Sequence, residues 1–592
     1  MYDYKAPQRD IDFVYREVLD YETHLQSFPQ YQDLTWDVWT AIVAETAKFS
    51  EEVIAPLNQS GDAEGCELEG GEVRTPTGFK EAYKQFAEAG WQSLIGEEEF
   101  GGQGMPQSLS TCLIEMRGSA NWSWASFIGF GLAGAKTLKA EGSKELQQTY
   151  LPPIYSGETL GTMCLTEPHC GTDLGLMRTK AAPQEDGSYR ISGTKIFITA
   201  GDHDFTDNIT HIVLARIEGA PEGVGGISVF VVPKVLENGE SNGVSCGSLE
   251  HKMGIKGSAT CVMNFEEATG YLIGEPNKGL RGMFHMMNWA RIGTGVQGLC
   301  HAELGLQKSV GYARDRLQMR SLSGVKNQDG PADPIIVHPD VRRMLLTQKA
   351  IAEGGRLLVA YCAQLMDISD DCPDKEKAKR AHEELSYLTP ILKAFMTESG
   401  FESASLAVQC FGGHGYIKEW GVEQNLRDCR ISMLYEGTTG VQALDLLGRK
   451  VLASQGEAMK PFMGKVATFC EDNADHPLAQ QVGLVSKKLG DLTAKIGAAA
   501  MKNPDEVGAA SVDYMMYSGY VVMAYLWAKA SVVAQQKLDA GEGDSAFYDA
   551  KLKTAGFYFE RLLPRTESLA KTMLSGASNL MDMDAEQFLS QL

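Results

Sequence analysis

Between residues 160 and 279 the chain changes texture, and that change limits its architecture more than any single motif. YRISGTKIFITAG, HIVLARIEG, GGISVFVVPKV, GVSCGSLEHKMG and SATCVMNFEEA are short, rich in Val, Ile, Phe and Thr, and bounded by Gly, Asn and Asp. Such runs read as strands joined by turns, an antiparallel β domain of about 120 residues. No helical segments alternate with them, which argues against a parallel doubly wound sheet. On either side the pattern is helical. In DVWTAIVAETAKFSEEVIAPL, Val38, Ile42, Val43, Phe49 and Val53 fall near the helical period, and Pro56 stops the run. GFKEAYKQFAEAGW repeats the pattern with Gly90 as its cap. Helical patterning returns near Gly279, broken by a Gly/Pro-rich loop at 323–334 and a charged connection at 367–379. The stretch after Lys450 is long enough for a bundle of its own. The expected class is α+β. The expected organisation is an extension (1–33), a helical domain (34–159), a β domain (160–279), a helical bundle (280–455) and a further helical domain (456–592).

Charge narrows the function. The 592 residues carry 54 Lys+Arg against 77 Asp+Glu, a formal charge of −23. An acidic surface repels nucleic-acid backbones and anionic lipid, but leaves room for an anionic ligand in a locally basic cleft. Twelve cysteines are scattered with no CxxC pair, as in reduced cytosolic proteins. MYDYKAPQRDIDF has no apolar signal core. The longest uncharged run, 118–135, holds four glycines, and YMMYSGYVVMAYLWA (514–528) is too short to span a bilayer and reads as a buried bundle helix. The expectation is a soluble, cytoplasmic protein in which membrane attachment is not favoured.

Four stretches could carry chemistry. TMCLTEPHCGTDLG (162–175) sets His169 beside Cys170, with Glu167 and Asp173 flanking them. Cys, His and carboxylate could make a nucleophile with its base or a metal site. Successive side chains diverge, however, and Pro168 and Gly171 make a turn. A structural loop without metal is the better reading. GFGLAG (129–134) matches GxGxxG but lacks a preceding strand and a later acidic residue near 149–153, so it reads as a close-packed helix. Glu436 follows Met433, Leu434 and Tyr435 and precedes Gly-Thr-Thr-Gly. Apolar surroundings raise a carboxyl pKa towards that of a useful general base. Capping the helix that starts near Val441 is an equal alternative. In QCFGGHGYIKEW the Gly-Gly step could turn backbone N–H groups towards an anion such as a pyrophosphate, or simply end a helix.

Taken together, MCLTEPHCGTDLGLMRTKA, ISGTKIFITAG, EHKMGIKGSATCVMNFEEATGYLIGEPNKGL and QCFGGHGYIKEWGVEQNLRDCRISMLYEGTTGVQ resemble, in order, the signatures of the acyl-CoA dehydrogenase family. The resemblance covers about residues 34–449, and the N-terminal segment and C-terminal region resemble a longer bacterial branch of that family. It implies a helical domain, a β-barrel domain and a helical bundle, followed by an extra helical domain. It also implies an FAD enzyme that desaturates an acyl-CoA thioester to a trans-2-enoyl-CoA. Glu436 matches the family's base. Met163, Leu165, Thr166, Gly171, Thr172, Phe197, Thr199 and Thr438 fall where the family contacts flavin, with Phe197 standing where Trp is common. Arg316, Gln409 and Gly413 match groups that hold the FAD diphosphate from a neighbouring subunit. Thr172, Asn288, Arg291 and Gly437 match the substrate side. After Arg316 the sequence LQMRSLSGVKNQDG departs from the family pattern. The GFGLAG helix matches the segment along the acyl tail, where its glycines would leave room for a longer chain. The implied partners are acyl-CoA, an electron-transferring flavoprotein and a second copy of the chain. An oxygen-reducing acyl-CoA oxidase is the nearest alternative. A flavin-binding DNA-protection relative is disfavoured by the charge and by Glu436.

Overall fold

A computed structural model describes residues 3–589. Its contacts divide into two compact units. One comprises Asp3–Ala6 and Thr40–Gly293; the other comprises Pro7–Trp39 and the chain from Thr294 on.

The first unit has a helical part and a sheet. Asn121 separates helices α1 (Gln107–Ala120) and α2 (Trp122–Glu141). It caps α2 by accepting from Trp124 N at 3.0 Å, and its amide donates to the Ile54 carbonyl. Trp124, fully buried, packs against Phe49 and Phe86. The GFGLAG glycines lie on α2, and the space they leave is already filled by protein. A Cβ on Gly131 would sit 3.1 Å from the Gly161 backbone nitrogen, one on Gly134 would meet Ile212 at 3.1 Å, and one on Gly129 would meet Trp289 at 3.3 Å. The glycines therefore serve close packing of α2 against its neighbours.

The sheet contains β1 (Thr159–Cys164), β2 (Lys180–Pro183), β3 (Tyr189–Thr199), β4 (Asn208–Ile217), β5 (Ile227–Pro233), β6 (Val244–Leu249) and β7 (Thr260–Ile273). Hydrogen bonding runs β4-β2-β3-β7-β5 and back to β4, closing a barrel, with β1 on β4 and β6 on β7. Closure removes the free edges of the ring. The sheet is not wholly antiparallel: β1 and β2 both run parallel to β4, pairing with residues 208–213 and 216–217 of it. They are two pieces of one edge, and residues 165–179 between them leave the sheet and return. That excursion carries TEPHCGTD.

In the second unit, α3 (Gly279–Asp315, here from Thr294 on), α4 (Pro339–Asp371) and α5 (Lys375–Phe411) form the framework. The charged connection expected over 367–379 shrinks to residues 372–374. Asp374 caps α5 by accepting from Glu376 N and Lys377 N. The acids at the end of α4 are paired, Asp367 with His24 at 3.2 Å and Asp371 with the Tyr31 hydroxyl at 2.6 Å. After the short helices α6 (Val422–Arg430) and α7 (Thr439–Leu444) comes α8 (Asp505–Ala540), in which nearly all of residues 514–528 are buried. Trp527 there donates to the Ala350 carbonyl. Among the described residues no helix is long and apolar enough to cross a membrane.

The N-terminal segment read as an extension belongs to this core. Tyr21 donates to the Ala360 carbonyl at 2.8 Å, and Phe13 packs edge-on against Phe547. Asp10 is buried between Arg356 and Lys551; Arg356 also binds Glu303 at 2.7 Å, and Lys551 binds Glu353 at 2.9 Å. Burial opposes ionisation of Asp10, but Lys551 and Arg356 outweigh it and hold its pKa down at about 2.

Candidate active site

The loop at 165–179 is built around one buried carboxylate. Glu167 N donates to the Cys170 carbonyl at 2.8 Å and Cys170 N to the Glu167 carbonyl at 3.1 Å, so Pro168 and His169 form the corner of a tight turn. That turn overturns the expectation that His169 and Cys170 diverge. The ligand atoms of Glu167, His169 and Cys170 lie within 4.8 Å of one another. The Glu167 carboxylate is already engaged, however. It accepts from Arg178 N (2.8 Å), Thr179 N (3.0 Å), Thr179 Oγ1 (2.5 Å) and Lys195 Nζ (2.9 Å). Burial opposes its charge, but Lys195 and these donors outweigh burial and hold the carboxyl below its usual range. Burial, together with the Glu167 charge, holds the Cys170 thiol above its own. His169 bonds the Leu176 carbonyl through Nε2 at 2.9 Å. The triad thus organises the loop, and a protonated thiol is a poor nucleophile.

Strand β3 supplies the other half of this lock. Its register against β7 slips between Lys195 and Ile198, a bulge that sets two residues opposite one. Lys195 turns inward, fully buried, and donates also to the Leu165 carbonyl at 3.0 Å, while Ile196 N donates to the Thr166 carbonyl. Phe197, at φ 59°, turns outward and is 60% exposed. Left-handed backbone at an aromatic residue is uncommon. Met163, Leu165, Thr166 and Thr199 are half-buried beside it, and Gly171 and Thr172 are exposed on the loop. On α3, Asn288 is exposed and Arg291 is half-buried, with a buried Nε that has no partner among the described residues.

Glu436 lies on the turn between α6 and α7, at φ 58°, followed by Gly437 at φ 90°. The helix-capping role that could have explained Glu436 belongs to its neighbour: Thr438 accepts from Val441 N at 3.3 Å. Gln442 Nε2 donates to the Glu436 carbonyl at 2.9 Å and Lys393 Nζ to the Gly437 carbonyl at 2.7 Å. Before it, the Tyr435 hydroxyl donates to Gln297 Oε1, and Gln297 continues to His301 and Asn425. Burial pushes His301 down to about 4, so it is neutral near pH 7.

Arg316, Gln409 and Gly413 line a single cleft of about 360 Å³, together with Tyr312, Gln318 and His414. Tyr312 stacks on Phe411 at 4.1 Å and bonds His414 Nδ1 through its hydroxyl at 2.9 Å, which makes one wall aromatic. A Cβ on Gly412 or Gly413 would meet nothing within 4 Å, so a ligand can approach the backbone closely there, although the Gly412 N–H already donates to the Gln409 carbonyl. The unusual sequence after Arg316 folds around buried Asp333, whose carboxylate accepts from Ser321 N, Lys326 N, Asn327 N and Arg320. Ile335 N then donates to the Arg316 carbonyl at 2.8 Å. This inserted loop is anchored at the base of Arg316.

Models of the acyl-CoA dehydrogenase N-terminal domain, middle domain and C-terminal domain match residues 39–158, 162–268 and 277–452. A model described as acetyl-CoA dehydrogenase C-terminal like matches 462–584. The chain belongs to the acyl-CoA dehydrogenase family. It is 42% identical over 579 residues to the 3-methylmercaptopropionyl-CoA dehydrogenase of Ruegeria pomeroyi, covering 95% of this chain and 96% of that one. To the broad-specificity linear acyl-CoA dehydrogenase FadE5 of Mycobacterium tuberculosis it is 33% identical, covering 99% and 100%. The fold is shared with a Bacillus anthracis acyl-CoA dehydrogenase solved with FAD, at a TM-score of 0.75 and 22% identity, over 98% and 93% of the two chains.

FAD is the family's cofactor, and the donor set suits it. Phe197 presents an exposed aromatic face as a flavin ring requires, and the Arg316 cleft offers a guanidinium, an amide and bare glycine backbone as a diphosphate requires. Lys195, Lys393, Gln442 and Gln297 were not singled out from the sequence. Each had a faint signal: a lone Lys in the strand GTKIFIT or the apolar helix YLTPILKAFM, Gln442 just after the GTTG turn, and Gln297 in the glycine-rich helical run GTGVQG.

Proposed function

We propose that this enzyme desaturates 3-methylmercaptopropionyl-CoA or a similar short acyl-CoA, with Glu436 as its base. The family and its FAD-dependent α,β-dehydrogenation stand on the domain matches; the acyl group rests on the 42% identity to the Ruegeria pomeroyi enzyme over nearly the whole chain. The observation that carries the base assignment is the turn itself. Glu436 is the acidic residue of YEGT, held in left-handed backbone, while Thr438 takes over the capping duty.

The Glu436 carboxylate takes the proton from Cα as the Cα=Cβ bond forms. FAD, when bound, supplies the acceptor for the hydride leaving Cβ. The Glu436 N–H would donate to the thioester oxygen as it gains enolate character. Gly437 would stand on the substrate side, at a φ of 90° that residues with side chains rarely adopt. Arg291, with its unsatisfied buried Nε, and Asn288 would line the path of the CoA moiety. Met163, Leu165, Thr166, Gly171, Thr172, Phe197, Thr199 and Thr438 would contact the flavin. Arg316, Gln409 and Gly413 would hold a diphosphate from a second copy in a homodimer. We further propose that electrons pass to an electron-transferring flavoprotein and that the enzyme works in the cytoplasm, where its twelve free thiols stay reduced.

Glu436→Gln tests the core of this reading. The variant should retain yellow FAD yet lose most anaerobic bleaching by acyl-CoA. Bleaching at the parent rate would refute the base assignment. A panel of butyryl-, octanoyl-, palmitoyl- and 3-methylmercaptopropionyl-CoA ranks the acyl groups, and peroxide release compared with dye reduction separates dehydrogenase from oxidase.

A further inference from the structure

We infer that Lys393 and Gln442 are positioning residues that lock Glu436 in the backbone conformation from which it works; the inference rests on Glu436 being the base. Lys393 is fully buried on α5, among Ile391, Leu392, Ala394 and Phe395, each no more than 1% exposed. An ammonium is almost never buried this deeply without a specific partner, because removing it from water is costly. A methionine would fill the same volume without that cost. What the lysine adds is a charge-assisted hydrogen bond to the Gly437 carbonyl at 2.7 Å.

Gln442, itself buried, holds the preceding carbonyl, that of Glu436, at 2.9 Å. The two peptide groups that follow the base are therefore fixed one after the other, from α5 and from α7. A Cβ on Gly437 would lie 2.6 Å from Gln442 Nε2, so the turn and its clamp are fitted to each other. On the other side, Tyr435 is tied to Gln297 on α3. Left-handed backbone at a residue other than glycine persists only where its surroundings over-determine it. With either clamp removed, Glu436 relaxes towards negative φ, which swings its carboxylate away from the position it holds here.

The full-length holoenzyme and its Lys393→Met, Lys393→Arg, Gln442→Leu and Glu436→Gln variants test this. The readouts are FAD per chain, KM and kcat with a dye acceptor, and anaerobic bleaching by butyryl-CoA with and without deuterium at Cα. A misplacement of about 1 Å can cost on the order of 10²-fold in rate. Lys393→Met should therefore load FAD and keep KM within about twofold of the parent, while bleaching per bound flavin slows by about that factor and keeps a full isotope effect. Gln442→Leu should lose about tenfold, and Lys393→Arg should recover part of the rate. Bleaching per bound flavin within twofold of the parent in both Lys393→Met and Gln442→Leu overturns the inference. If Lys393→Met does not load FAD, Gln442→Leu decides; if neither loads, both groups serve the fold and the inference also falls. A fully active Glu436→Gln would remove the base reading itself, whereas an inactive Glu436→Gln beside a fast Lys393→Met removes only the clamp.

Discussion

Replacing Lys195 with methionine leaves the shape of the strand unchanged and strips the loop at 165–179 of its counter-charge. Lys195 and Glu167 have side chains 0% and 2% exposed, 2.9 Å apart. Breaking a buried pair by removing one partner costs about 3–5 kcal/mol, because the surviving charge stays in a place where water cannot reach it. The barrel is hydrogen-bonded throughout, but the loop is an excursion from one edge and can open to hydrate Glu167. Most of the penalty should therefore fall on the loop and appear as lost FAD affinity. At about 1.4 kcal/mol per tenfold, the Kd for FAD should rise by roughly 10²- to 10³-fold, while the melting temperature of the apoprotein moves by only a few degrees. Fluorescence titration of apoprotein with FAD measures the first, and calorimetry the second. Adding Glu167→Gln removes the stranded charge, so the double variant should bind FAD more tightly than Lys195→Met alone. A Lys195→Met protein that binds FAD within about twofold of the parent would refute the argument.

Two further outcomes follow from buried groups. Lys551 and Arg356 hold the Asp10 carboxyl below its ordinary 3.8 in the folded chain, so its ionised form contributes stability that is present above about pH 4 and lost as the pH falls through its lowered folded value. Asp10→Asn should flatten that limb of the acid-unfolding curve, and an unchanged curve would show that other carboxylates carry it. Gly131→Leu should lower the melting temperature without altering chain-length preference, because its side chain meets the Gly161 backbone at 3.1 Å. A changed preference at an intact melting temperature would mean that the helix face borders the acyl chain after all.

The helix–sheet–helix order and the turn carrying Glu436 were legible, because each rests on local patterns that few residues encode. The parallel pairing of β1 and β2 with β4 was not. Strand direction is decided by where residues 165–179 carry the chain, and alternation within a strand is blind to direction. Lys195 and Lys393 were passed over for a related reason. A lone lysine in an apolar run announces a buried charge, but its partner lies 28 residues away in one case and 44 in the other. His169 and Cys170 drew the eye as chemistry, while the working carboxylate of that stretch, Glu167, has a structural task. The segment expected as an extension over 1–33 is the plainest case: from Pro7 on it packs with the chain after Thr294, and partners such as Phe547 and Lys551 lie hundreds of positions away.

That clasp has a consequence for how the protein is made. Asp10 is bonded to Arg356, 346 positions on, and to Lys551, 541 positions on. At about 5–20 residues per second, a ribosome needs roughly half a minute to two minutes between making Asp10 and making Lys551. Throughout that interval Phe13, buried in the finished protein, lacks the rings of Phe547 and Tyr548 that pack against it. The segment around Asp10 is made long before its partners and is thus among the last to find its place. A nascent chain stalled before Lys551 is made would still carry that uncovered strip, available to chaperones or to a neighbouring chain in the same unfinished state.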